Sequence, residues 1–187
     1  MELTEIISRI ETQVPGAVIE ARPLGRANLL SVWLEKQSIY QVAELLVVDK
    51  DTRLDWLEFI GCMEIDKALL LTYFIRSMTS GHRLALRVSL PIETVGQKSE
   101  AIVRAWSVTH AWPMALAFEQ ELSELFGIYF DHPLSRPEDR KIVRRILPEN
   151  WVGYPFRKSY VFPMEVHDIP HHRPSGRTSP DEFGVII

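Results

Sequence analysis

His167, Asp168, His171 and His172 crowd together near the C-terminal end. Two imidazoles and a carboxylate are a donor set that can hold zinc or non-haem iron, which would support a stand-alone metal-dependent enzyme. The geometry argues against it. In an extended, proline-bounded stretch the adjacent His171 and His172 point apart, and no regular element supplies the supporting shell that fixes ligands. Glu119 and Glu121 offer a second pair of titratable groups, but two residues on a helix diverge by about 200° and cannot form a carboxylate dyad. One of them is expected to pair with a basic residue further on, Arg144 or Arg145. His110 and His132 read as hydrogen-bonded structural residues rather than catalytic bases. No Gly-x-Ser-x-Gly elbow, phosphate loop or dinucleotide fingerprint occurs, and the 9 glycines are scattered.

The lone Cys62 limits redox chemistry. One thiol makes no internal disulfide, and an iron-sulfur cluster or cysteine zinc site needs several. If the protein serves electron transfer, it does not itself carry an iron-sulfur relay. The basic run Arg136, Arg140, Lys141, Arg144, Arg145, Arg157 and Lys158 raises nucleic-acid or lipid binding. The formal net charge of -4 and the lack of interleaved aromatics oppose the first, and the prolines forbid the long amphipathic helix that the second favours. Docking on an acidic partner surface suits Arg144, Arg145, Arg157 and Lys158; Arg136, Arg140 and Lys141 read as solvated charge.

The elements that must position these residues follow from periodicity. Leu3, Ile6, Ile7, Ile10 and Val14 mark an amphipathic helix ended by Pro15-Gly16. Leu30, Val32 and Leu34 alternate as in a half-buried strand, and a second helix follows, with Ser38 as its expected cap and Ile39, Val42, Ala43 and Leu46 on one face. Three strands come next. The first has Leu57, Phe59, Met63 and Ile65 on one face, the second is the apolar run Ala68 to Ile75, and the third alternates from Arg83 to Leu90. Asp66-Lys67 and Ser80-Gly81 supply the turns. A helix over Pro113 to Phe126 closes at Gly127, with Ala115, Phe118, Leu122 and Leu125 inward and Glu119, Glu121 and Glu124 toward the polar side. This order predicts an α+β fold, an antiparallel sheet with helices packed on one side, over residues 1–130.

Residues 131–187 differ in character. Prolines recur from Pro133 to Pro180, yet Trp151, Tyr154, Phe156, Tyr160, Val161 and Phe162 make the stretch too apolar for a linker. The expectation is an extended proline-rich arm that docks on a partner through Arg144, Arg145, Trp151, Tyr154, Phe156, Arg157, Lys158 and Tyr160. The 187 residues, 46% hydrophobic and 25% charged, suit one core plus such an appendage. No run of apolar residues is long enough to span a bilayer, and the acidic start lacks the pattern of a signal peptide, so a cytoplasmic chain is expected.

A series of ordered motifs carries a resemblance. Ser107-Val108-Thr109 precedes Trp112-Pro113; then come Glu119-Gln120-Glu121, Phe126-Gly127-Ile128, His132-Pro133, Arg144-Arg145-Ile146-Leu147 and Gly153-Tyr154-Pro155-Phe156-Arg157-Lys158-Ser159-Tyr160. Over roughly residues 50–163 the chain resembles the 30 kDa subunit family, the C subunits of NADH:quinone oxidoreductase (respiratory complex I). It departs from that pattern at Gln120, where arginine is usual, at Asp131 for glycine, at Tyr154 for histidine and at Ser159 for aspartate. The stretch 134–143 looks inserted.

The resemblance implies a non-catalytic structural subunit of the peripheral arm, supporting NADH-to-quinone electron transfer coupled to proton translocation. It implies contact with the large quinone-site subunit and the small iron-sulfur subunit. Iron-sulfur clusters, FMN and quinone would lie on those partners and no cofactor on this chain. It further implies a peripheral place on the cytoplasmic side of the cell membrane, touching the membrane only through the complex. The equivalent module of membrane-bound nickel-iron hydrogenases and formate hydrogenlyases is the alternative.

Overall fold

The computed structural model describes residues 3–24, 29–92, 103–133, 142, 144–161, 165–166 and 169–170. His167, Asp168, His171 and His172, and likewise Arg136, Arg140 and Lys141, lie outside the described residues.

Helix α1 (Leu3–Gln13) turns at Gly16 into β1 (Val18–Pro23), which pairs antiparallel with β2 (Leu29–Leu34). Helix α2 (Ile39–Val48) leads to β3 (Trp56–Ile65), β4 (Ala68–Arg76) and β5 (Arg83–Pro91), antiparallel in turn. The β3–β4 turn places Asp66 and Lys67 at φ 46° and 62°, the left-handed pair that a tight hairpin requires. Strand β5 then inserts beside β2 with Leu30 opposite Leu84, so the order is β1-β2-β5-β4-β3 and the β2–β5 pairing is parallel. The α+β plan is as expected, with a mixed sheet in place of a wholly antiparallel one. Alternation within single strands carries no information about which strands become neighbours, or in which direction.

A single core forms between the inward rows Leu30, Val32, Leu34 and Leu84, Leu86, Val88, Leu90 and the helix stripes Ile6, Ile10 and Ile39, Val42, Leu46. Ser38 donates no side-chain cap to α2; only its carbonyl accepts, from the Val42 N–H at 2.9 Å. Strand β3 corrects another expectation. A bulge between Leu57 and Phe59 switches faces, so Leu57 and Ile60 are buried while Phe59, Met63 and Ile65 face outward, Phe59 stacked on Phe74 at 4.4 Å.

Short parallel strands β6 (Val103–Trp106) and β7 (Ile128–Asp131) flank helix α3 (Ala115–Phe126). Across them Arg104 Nε donates to Asp131 Oδ2 at 2.8 Å, which gives the departure at Asp131 a cross-strand partner. Beyond them the two-residue strands β8 (Glu165–Val166) and β9 (Ile169–Pro170) pair antiparallel in the proline-rich stretch.

Candidate functional site

The motif residues converge around helix α3, and each end of the helix is held by a buried carboxylate. Trp112, almost fully buried, donates its indole N–H to the Leu54 carbonyl at 2.9 Å, tying the start of α3 to the α2–β3 connection. Pro113 follows, exposed in the lead-in turn, where the lack of an amide hydrogen costs nothing. One turn on, Glu119 is 4% exposed; it accepts from the Val108 N–H and the Ser107 hydroxyl, both at 2.8 Å, and Ser107 in turn meets Thr109 Oγ1 at 2.8 Å. Burial pushes the Glu119 carboxyl up to about 7, against the pull of those two donors. A cleft opens beside it, lined by Thr109, Gln120, Tyr129, His132 and Arg145. Glu119 thus sits inside and does not face solvent, whereas Glu121 is exposed as expected.

Glu124, also expected toward solvent, is fully buried. Its carboxylate receives three successive backbone N–H groups from the arm: Arg145 at 2.6 Å, Ile146 at 2.9 Å and Leu147 at 2.9 Å. Burial works to raise this carboxyl, but the three amides and the nearby Arg144 outweigh it and hold it below its ordinary value. The acidic partner of the Arg144-Arg145 element is therefore Glu124, in place of Glu119 or Glu121. It binds that element through the backbone, a role a search for charge pairs overlooks.

The C-terminal end of α3 leaves carbonyls without helical partners, and the arm supplies the donors. Gly127 ends the helix in the left-handed region at φ 67°. Phe156 N–H donates to the Leu125 carbonyl at 3.1 Å. Arg157 Nε donates to the Phe126 carbonyl at 2.6 Å, and another guanidinium N–H donates to the Gly127 carbonyl at 3.3 Å. A cation there also complements the negative end of the helix dipole. The Tyr154 ring lies over Gly127, so close that a Cβ on that glycine would come within 2.4 Å of it. The guanidiniums of Arg144 and Arg157 stand 5.8 and 5.5 Å from the same ring, within cation–π reach. Arg144 also donates to the Gly153 carbonyl at 3.0 Å, Trp151 stacks on Tyr160, and Lys158 N–H reaches Glu64 at 2.8 Å.

These contacts revise the partner-docking expectation. Arg157 is 5% exposed and bonded to its own chain; Arg144 and Tyr154 are turned inward with it, and Trp151 and Tyr160 are half-buried against each other. Arg145, Phe156 and Lys158 remain exposed. The arm follows its own core because α3 presents a carboxylate, open carbonyls and a glycine gap that only a specific segment satisfies. His110 stacks on Tyr40 at 3.8 Å, burial lowering its pKa; His132 lines the cleft beside Glu119, and Pro133 lines a second cleft with Tyr40 and Trp106. Among the described residues no three His, Cys, Asp or Glu side chains gather as a metal site, and no helix is long and apolar enough to cross a membrane.

Residues 32–166 match the family described as the respiratory-chain NADH dehydrogenase 30 kDa subunit. The chain belongs to that family. It is 27% identical over 157 residues to the NADH-quinone oxidoreductase C subunit of Roseiflexus castenholzii, covering 82% of this chain and 80% of that one. The NADH-quinone oxidoreductase C/D subunit of a Psychrobacter species is 34% identical over 80 residues, 42% of this chain and 12% of that longer one. Among solved structures, a chain of the archaeal membrane-bound sulfane sulfur reductase, a respiratory membrane complex, superposes with a TM-score of 0.52 at 20% identity, covering 73% of this chain and 79% of that one. That likeness is one of fold. With the family in hand, the Ser-Val-Thr, Trp-Pro, Phe-Gly-Ile and Arg-Arg-Ile-Leu motifs of this 30 kDa subunit relative each have a physical task at one end of α3.

Proposed function

We propose that the chain serves as the non-catalytic C subunit in the peripheral arm of an NADH:quinone oxidoreductase. It packs against the large quinone-site subunit and beside the small iron-sulfur subunit, on the cytoplasmic side of the membrane. FMN, iron-sulfur clusters and quinone belong to those partners, and so do electron transfer and its coupling to proton translocation. The observation that carries this reading is the match to a C subunit along four-fifths of both chains (82% and 80%). The C/D relative supports the choice of neighbour, because there the matched stretch shares a polypeptide with a second named subunit. The buried motif chemistry fits a scaffold: Glu119, Glu124, Trp112 and Arg157 are each engaged by the chain's own backbone or hydroxyls.

Gentle detergent extraction with a tag on this chain tests the proposal. Iron-sulfur proteins, a flavin-containing NADH-binding subunit and NADH-oxidising activity are expected to co-purify, with no NADH oxidation by the chain alone. Recovery with a nickel-bearing large subunit would instead assign the hydrogenase-type complex, and recovery of the chain alone would sink both.

A further inference from the structure

The cleft beside Glu119 has a volume of about 310 Å3 and a lining rich in hydrogen-bond donors. Thr109 enters from the turn before α3, Gln120 and Ser123 from α3 itself, Tyr129 and His132 from β7 and its exit, and Arg145 from the arm. Among the described residues the side chains of Gln120, Ser123 and Tyr129 make no hydrogen bond, and Arg145 forms no ion pair. The Glu124 carboxylate does not answer that guanidinium, because three backbone amides occupy it. Glu119 is the one acid in the lining, buried, with both oxygens already accepting from Val108 N–H and the Ser107 hydroxyl. The cleft thus presents a full positive charge and several vacant donors, a set that calls for a small ligand made of acceptors.

We infer that this cleft is a binding site for a monoanionic carboxylate, held by the Arg145 guanidinium and by the hydroxyl and amide donors of Gln120, Ser123 and Tyr129. The site belongs to the folded chain and goes beyond its proposed place in a complex. Charge decides the class of ligand. One guanidinium balances one negative charge, whereas a phosphate dianion leaves a charge uncompensated and a cation meets Arg145. Glu119 sets the pH range. Burial keeps its carboxyl protonated up to about 7, and in that form it repels no anion and has an O–H to offer. Above that pH the ionised Glu119 and the ligand are like charges in one cleft, so affinity falls about tenfold per pH unit. The other groups that face Glu119 are Arg145, His132 and Tyr129 in the cleft and Tyr73 behind it on β4, whose buried phenol stays neutral. Protonation of His132 favours an anion in the same direction, and substitution separates the two.

The test titrates the full chain with sodium acetate, against sodium chloride at equal ionic strength, and follows the backbone amide resonances of Thr109, Gln120 and Tyr129. Saturable shifts are expected at about pH 6, with affinity at least tenfold weaker at about pH 8.5. Arg145→Gln keeps the backbone amide that reaches Glu124, so it should weaken acetate binding at least tenfold and leave the thermal midpoint unchanged. Glu119→Gln should bind acetate without the alkaline decline, and His132→Gln should retain the decline. Absence of saturable shifts, wild-type affinity in Arg145→Gln, or equal wild-type affinity at the two pH values overturns the inference, the first and last without any substitution. Methylammonium binding lost with Glu119→Gln would make the cleft a cation site, and inorganic phosphate binding more tightly than acetate would make it a dianion site; either refutes the carboxylate. Amide exchange then gives the source of the carboxylate. Acetate that slows exchange at Thr109 and Gln120 in the extracted complex as in the free chain assigns a free small acid. Exchange there that is already slow and indifferent to acetate assigns an acidic side chain of a neighbouring chain.

Discussion

Replacing Glu124 by glutamine changes two atoms' chemistry and no volume, and it is expected to loosen the arm selectively. The carboxylate accepts three amides, one on Oε1 and two on Oε2. A glutamine that keeps its oxygen facing Ile146 and Leu147 turns its NH2 toward the Arg145 N–H, donor against donor. The two surviving bonds drop from charge-assisted to neutral, about 1 kcal/mol each, and the orphaned amide costs about 1–3 kcal/mol. The docked state of the arm therefore loses roughly 3–5 kcal/mol. At 1.4 kcal/mol per tenfold, amide hydrogen exchange at Arg145, Ile146 and Leu147 should accelerate on the order of a hundredfold or more. The β4–β5 amides, in the middle of the sheet, should keep their wild-type rates. Exchange at 145–147 changed less than about threefold would refute the carboxylate as the arm's anchor. Equal acceleration in β4 and β5 would show that arm and core open as one unit, and the reasoning for a separable arm would fail.

Gly127→Ala adds a Cβ 2.4 Å from the Tyr154 ring as well as a left-handed alanine, whereas Gly16→Ala at φ 74° meets nothing within 4 Å. Each carries the left-handed cost of about 1–2 kcal/mol, so the further loss in thermal midpoint for Gly127→Ala, with new tryptic cleavage near Arg144, reads the clash alone. Glu119 titrates higher in the folded chain, near 7 against an ordinary 4.5, so the folded state holds the extra proton between those values. Its contribution is complete below about 4.5 and is lost as pH rises through about 7, roughly 3 kcal/mol in all; denaturant midpoints of Glu119→Gln should lack that decline. Arg157→Ala removes the donor to the Phe126 and Gly127 carbonyls and should expose the arm to trypsin in the free chain, while Lys158→Ala should not.

Regular periodicity was the legible part of the fold. Helix α3 and its stop at Gly127, the alternating row of β5 and the Asp66-Lys67 turn follow from local rules that the folded chain obeys. Strand β1 escaped because its residues hardly alternate, and its Ile19 lies 61% exposed. The bulge in β3 escaped because one extra residue reverses every later side chain without altering composition. At the site the motif residues were visible but their tasks were not. Glu119 and Glu124 look like surface charge on a helical wheel, and only tertiary contact shows that groups from 11 to 23 residues away have claimed them. The departure at Tyr154 was visible as a substitution, while its seat over Gly127 between two guanidiniums depends on a turn that no local pattern specifies.

Strand β3 turns Cys62 toward the core, and burial pushes its thiol up to about 12 despite the nearby Arg157. Such a sulfur stays protonated in ordinary buffers and offers almost no thiolate to a maleimide or a nitroxide reagent. Because the chain has 1 Cys, the natural protein supplies its own silent background. A cysteine placed at an exposed position of choice would carry the label on this chain, so its surroundings can be followed on an otherwise wild-type sequence.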